Sequence, residues 1–192
     1  MLSRSVRFIT LGILLVAGSA LASVDHSARK GSGPKKKGMK MEITSSAFQP
    51  GKPIPAKHTC QGQNLSPALE WEGEPARTKS VALIVDDPDA PSKVWVHWVI
   101  FNLPSGQGAL PEGMARDPIL ANGTRQGMND SGQSGWDGPC PPPGGPHRYY
   151  FRLYAIDKVL GLEAKCTKEQ LLAAMKGHIL AEGSLMGTFQ RR

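Results

Sequence analysis

The sequence predicts an all-β fold, a sandwich or barrel of short strands, on three observations. Short apolar or alternating runs recur from Met39 onward. Sixteen prolines and 22 glycines punctuate those runs, a composition that suits many tight turns and disfavours long helices. A single segment carries a helix-start signature followed by helical spacing. At 192 residues the chain has the length of one domain, and 40% hydrophobic against 20% charged residues is enough apolar material for a packed core.

The elements follow in chain order. Arg4 and Arg7 precede an apolar run over residues 8–21, and Ala20-Leu21-Ala22 supplies a small-x-small cleavage site. The run falls short of the ~20 residues that span a bilayer, so residues 1–22 read as a signal peptide. A mature, exported protein with no stable membrane insertion is expected, periplasmic or secreted. Residues 23–38 are Gly, Ser, Lys and Arg with little to bury, a basic flexible linker. The domain then occupies residues 39–192. Strands are predicted over 41–44, 69–71, 80–85, 94–103, 149–156 and 185–189. Thr167 and Gln170 form a capping box, and Leu171, Leu172, Met175 and Ile179 predict a helix from 167 to about 180, interrupted by Gly177 and His178. His178 reads as a surface or packing residue.

Charge excludes one function class. The net +7 resides entirely in the first forty residues, where eight basic side chains face only Asp25, so residues 41–192 are neutral. The folded part therefore lacks the basic footprint of a nucleic-acid domain. Cys60, Cys140 and Cys166 match no zinc-ligand spacing. In an exported chain they predict one disulfide and one free or buried thiol. Spacing does not fix the pairing; Cys60 with Cys140 is favoured because both stand in Gly/Pro-rich loops, whereas Cys166 directly precedes the helix.

Three segments carry chemistry. Asp86-Asp87-Pro88-Asp89-Ala90-Pro91 follows a buried strand, and its prolines aim three carboxylates from a strand-end rim. Unpaired, they would raise one another's pKa. In Trp95-Val96-His97-Trp98-Val99, strand alternation places Trp95, His97 and Val99 on one face and Val96, Trp98 and Ile100 on the other. The run from Gly138 and Pro139 through Cys140 to Pro146 is a stiff loop whose five prolines cannot donate to a ladder, and it delivers His147, Arg148 and Tyr149 to the next strand. Two histidines, a carboxylate cluster, an arginine and a Gly-rich loop near strand ends suit a small anion with a cationic tail. They also suit a metal held by His97, His147 and one Asp.

These three segments resemble the phosphatidylethanolamine-binding protein family, in its bacterial, Raf-kinase-inhibitor-like branch. Supporting matches are residues 48–55, 62–67, 177–178 and 187–189, so the resemblance runs through nearly all of residues 41–192. It implies an antiparallel Greek-key β-sandwich of two sheets with a few peripheral helices and a small anion-accepting pocket at one end. By motif, Asp87, His97 and His147 would line that pocket, with Gly138 and Pro139 on its rim. Asp89, Pro91, Trp95, Arg148 and Tyr149 would support it, Asp89 pairing with Arg148 and Ala90-Pro91 forming a cis peptide. Two departures stand out: only three residues separate Pro91 from Trp95, where mammalian members carry a longer insert with a tyrosine, and the chain stops soon after Phe189, where mammalian members have a shielding helix. Both weigh against lipid binding and kinase inhibition of the mammalian kind.

The expected function is thus a non-enzymatic, regulatory or inhibitory binder of a phosphate-like or carboxylate ligand, such as phosphorylethanolamine, or of a protease- or kinase-type protein carrying such a group, with no cofactor. Alternatives are a small hydrolase or metal-dependent enzyme using the Asp/His cluster, or a protease inhibitor. No Gly-x-Ser-x-Gly or His-Glu-x-x-His motif supports an enzyme.

Overall fold

Strand β4 (Ser80–Asp87) has all eight residues buried, which places it at the centre of the protein. Its apolar run Val81-Ala82-Leu83-Ile84-Val85 suits a strand covered on both faces. The chain is described here by a computed structural model over residues 39–191; the expected signal peptide and linker lie outside the described residues. Preceding β4 are β1 (Met39–Lys40), β2 (Glu42–Thr44) and β3 (Leu69–Glu72). After it come β5 (Trp95–Pro104), β6 (Ala109–Leu110), β7 (Arg125–Gln126), β8 (His147–Ile156), helix α1 (Lys168–Met175) and β9 (Ile179–Phe189).

Two sheets result, as expected for a β-sandwich. The larger has the order β1-β9-β8-β4-β5-β7 and the smaller β2-β3-β6. All pairings are antiparallel except β1 with β9. Side chains on β4 and β8 alternate between two cores. Val81, Leu83, Val85, Tyr149, Phe151 and Leu153 share one core with Ile43, Leu69 and Trp71 of the small sheet. Ala82, Ile84, Tyr154 and Ile156 share the other with Leu171 and Met175 of α1. Within the first core Trp136 stacks on Phe151 at 5.8 Å and meets Trp98 edge-on at 5.9 Å. Both indole N–H groups are satisfied, Trp98 by Gln126 Oε1 and Trp136 by the His58 carbonyl.

The helix is shorter than its apolar spacing suggests. Thr167 and Gln170 form the expected reciprocal cap, but α1 stops at Met175. Gly177 takes φ of 83°, which reverses the chain, so Ile179 and Leu180 belong to β9 and not to the helix. His178 anchors this turn: its Nδ1 pairs with Asp157 Oδ1 at 2.8 Å, and its carbonyl accepts from Asp157 N. Cys60 and Cys140 are bonded, with Cα atoms 5.4 Å apart, and Cys166 is a buried free thiol. Ala90-Pro91 is trans, contrary to the expectation of a cis peptide.

Gly187, opposite Tyr149 in the β8–β9 register, lies where a Cβ would come within 2.7 Å of Ile54 Cγ1 and Phe48 Cε2. Gly187→Ala should therefore destabilise the domain by ~1–3 kcal/mol through overpacking, read as a lower urea midpoint with an unchanged slope. An unaltered midpoint would show that this layer can yield.

Candidate functional site: a strand-end pocket

Antiparallel pairing of β4 with both β5 and β8 sets Asp87 opposite Trp95 and Asp86 opposite Tyr150, so three strand ends meet at one edge of the large sheet. There they form a cavity of about 230 Å³. Asp87, Ala90 and Pro91 come from the end of β4 and the following loop, Trp95 and His97 from β5, and His147 and Tyr149 from β8. Ser131, Asp137, Gly138, Cys140, Pro141 and Pro142 close it from the loops. Asp87, His97, Gly138 and His147 therefore meet as expected, joined by Pro91, Trp95 and Tyr149. Pro139 does not line the cavity: it is buried, and its carbonyl accepts from Cys60 N at 3.2 Å. Cys140, Pro141 and Pro142 form the rim in its place.

The orientation of His97 differs from simple alternation. Val85 pairs with Trp98 but Asp86 with Val96, so β5 carries one extra residue at His97, a β-bulge. His97 and Trp98 consequently turn to the same side, His97 edge-on to Tyr149 at 5.2 Å and Trp98 against Trp136. Val96 and Val99 both enter the opposite core. The expected grouping of Val99 with His97, and of Val96 with Trp98, is thus corrected by the bulge.

The three carboxylates of the acidic segment diverge and find separate partners. Asp86 pairs with Lys168 and Arg152 behind the sheet. Asp87 Oδ2 bonds His147 Nδ1 at 2.8 Å, while its Oδ1 accepts from Asp89 N. Asp89 takes Arg148 in a fork, at 2.7 Å from Nη2 and 2.9 Å from Nε, plus the Arg148 backbone N–H. The guanidinium bond, with its charge, holds the Asp89 carboxyl down at about 2, opposite to the rise expected of unpaired neighbours. Asp89 and Arg148 brace the β4–β8 end without lining the cavity.

Inside, hydrogen bonds set which atoms are left for a ligand. His97 Nδ1 donates to the Asp137 carbonyl, so Nε2 of the neutral ring is an acceptor. Burial, opposed by that hydrogen bond, pushes His97 below 6.5 and favours the neutral ring. His147, with Nδ1 on Asp87, has no protein partner for Nε2 among the described residues. The Tyr149 hydroxyl is fully buried and faces the Asp87 carboxylate, without a hydrogen bond of ordinary geometry among the described residues. Burial first, then the charge and hydrogen-bonding pull of Asp87, pushes its phenol up, so it stays protonated with its proton toward Asp87. Asp137 is partnered by Ser131 and weakly by Asn64, both neutral. The Gly138 N–H donates to Asn64 Oδ1 at 2.7 Å, and a Cβ there would lie 2.3 Å from the His58 carbonyl, so only glycine fits. No lining residue is Lys or Arg. Among the described residues no three His, Cys, Asp or Glu side chains converge as metal ligands.

Sequence reasoning missed Ser131 and Asp137. Both lie in a Gly-rich stretch without a strand or helix signal, and they reach the site only because the 128–138 loop folds back on β5, through Asp130 N to Val96 O and Asp137 N to His97 O.

Fold and site together define a β-sandwich with a small pocket at its strand ends. Comparison with known proteins agrees. The model of the phosphatidylethanolamine-binding protein family matches residues 44–190, and the chain belongs to that family. A UPF0098 protein of Methanothermobacter thermautotrophicus is 52% identical over 151 residues, covering 79% of this chain and 99% of the relative. One from Chlamydia muridarum is 47% identical over 156 residues, covering 79% of this chain and 99% of its own length. Among solved structures, a phosphatidylethanolamine-binding protein homolog from Chlamydia trachomatis superposes with a TM-score of 0.73 at 44% identity, covering 80% of this chain and 99% of its own. E. coli YbcL, described as a new member of the mammalian PEBP family, gives 0.74 at 31% identity, with 80% and 99% covered.

His97 supplies a pH test. A histidine held neutral in the fold contributes stability that is full above its unfolded value near 6.5 and is lost as pH falls below it, because only the unfolded state then gains the proton. Nitrogen-15 NMR at pH 6.5 should find His97 as the neutral Nδ1–H tautomer; a half-protonated ring there would refute the burial argument.

Proposed function

We propose that this chain is an exported binding protein, not an enzyme, whose pocket takes the phosphate-like or carboxylate group of a larger partner. Its role is regulatory or inhibitory, in the periplasm or outside the cell. The observation that carries this reading is the pair of imidazole nitrogens on the cavity wall, His147 Nε2 and His97 Nε2, that have no protein partner among the described residues. Both nitrogens suit the oxygens of a partly protonated oxyacid.

The electrostatics favour a ligand that brings its own protons or positive charge. Asp87 and Asp137 are both in the wall, with no Lys or Arg to offset them. An oxyanion is then accepted only with a proton on His147 Nε2 or on the ligand itself. Asp137, whose partners are neutral, suits a nearby ammonium. Phosphorylethanolamine combines both features, and the family's name supports the same head group. A volume of about 230 Å³ suits a head group rather than an acyl chain.

An enzymatic reading finds less support. The serine and cysteine on the wall are engaged elsewhere, Ser131 on Asp137 and Cys140 in the disulfide, and neither is paired with a histidine as an activated nucleophile would be. Membrane insertion finds none either: no helix among the described residues is long and apolar enough to cross a bilayer.

Titration with inorganic phosphate and phosphorylethanolamine, followed by histidine NMR, should shift His97 and His147 saturably. Affinity should fall between about pH 5 and 8 as the shared proton is lost. His147→Gln should weaken binding by ~1.5–3 kcal/mol, as for a charged hydrogen bond. Unmoved histidine resonances, or a pH-independent affinity, would reject the anion site.

A further inference from the structure

Cys140 of the Cys60–Cys140 disulfide stands in the pocket wall without offering the ligand a charge or a strong hydrogen bond. Both half-cystines are exposed. The segment they secure, residues 138–146, has five prolines and therefore few N–H groups with which to hold itself down. Beyond Gly138, its backbone hydrogen bonds to the rest of the described chain are Cys60 N to Pro139 O at 3.2 Å and Gln190 Nε2 to Gly144 O at 2.7 Å. The covalent tie, together with the packing of the buried Pro139 and Pro141, therefore restrains the rim formed by Cys140, Pro141 and Pro142. Arg191 Nη1 lies 3.9 Å from Cys140 Sγ. A guanidinium at that position favours a thiolate on Cys140, making it the better leaving group in thiol–disulfide exchange.

We propose that this disulfide is a redox gate on the pocket: oxidised, it holds the proline-rich rim against the cavity; reduced, it releases the rim and weakens ligand binding. The inference rests on the anion-binding reading above. The reductant is a dithiol. Its thiolate attacks Cys60 Sγ, forming a mixed disulfide, and breaks the Cys60–Cys140 bond so that Cys140 departs as a thiolate beside Arg191. The second thiol of the reductant then displaces Cys60 and closes the reductant's own disulfide. Two electrons and two protons pass from the dithiol to the two cysteines. Release of the rim lowers the fraction of molecules with a complete pocket, and apparent affinity falls in proportion to that fraction.

The test measures inorganic phosphate binding to the full chain, oxidised and after reduction with dithiothreitol, with near-ultraviolet circular dichroism to follow the fold. A rim in place one-tenth of the time predicts about tenfold weaker binding on reduction, restored on reoxidation. The Cys60→Ser/Cys140→Ser variant should bind like the reduced protein whether or not reductant is present. Arg191→Gln, which keeps the disulfide, should slow its reduction several-fold. Equal phosphate affinity in the two redox states overturns the gate while leaving the anion reading intact. Loss of the aromatic dichroism on reduction also overturns it, because a gate requires an otherwise intact domain. No phosphate binding by the oxidised protein removes the anion reading itself, and the gate with it.

Discussion

The double pairing of β4 is the constraint on which the site depends. Because β4 is bonded to β5 on one side and β8 on the other, the positions of Asp87, His97 and His147 relative to one another are set by backbone registers. Such registers are hard to shift where both faces of a strand are buried, since a slip of one residue would turn every apolar side chain to the wrong core. A rigid sheet end therefore presents the polar groups. The bonds between Asp87 and His147 and between Asp89 and Arg148 close the same two strands at their tips, so these side-chain bonds reinforce the ladder rather than substitute for it.

Within that frame, two local irregularities convert a strand end into a pocket. The bulge at His97 adds a residue to β5 and brings the imidazole to the Tyr149 side, where a regular strand would have had to choose between His97 and Trp98. Gly138 lets the loop chain pass within contact of the 58–64 segment, so that the wall can approach the histidines. Both irregularities have a packing consequence beyond the pocket: Trp98 remains free to meet Trp136, and Trp136 to bond the His58 carbonyl, so the site and the aromatic core share their supports.

Much of this was legible in the sequence. Strand β4 announced itself by an uninterrupted apolar run, and the capping box at Thr167 and Gln170 located the start of α1. Strand signals set Asp87, His97 and His147 near strand ends, and it was the family resemblance of their motifs that implied one shared pocket. The failures have a common physical origin in backbone detail that periodicity does not encode. An extra residue in β5 cancels the alternation that would assign faces around His97. The left-handed turn at Gly177 ends α1 before its apolar spacing runs out. Ser131 and Asp137 sit in a loop whose position is decided by hydrogen bonds to β5, contacts far apart in sequence with no local pattern to betray them.

The proline-rich rim also bears on the thermodynamics of recognition. Pyrrolidine rings restrict the backbone in the free protein as much as in a complex, so residues 138–146 lose little conformational entropy when a ligand arrives. Ordering costs of that kind were incurred when the chain folded and its cross-link closed. A partner that buries a modest area against such a surface can thus be held more tightly than the area alone would suggest, and a small cavity becomes a sufficient foothold for a much larger molecule.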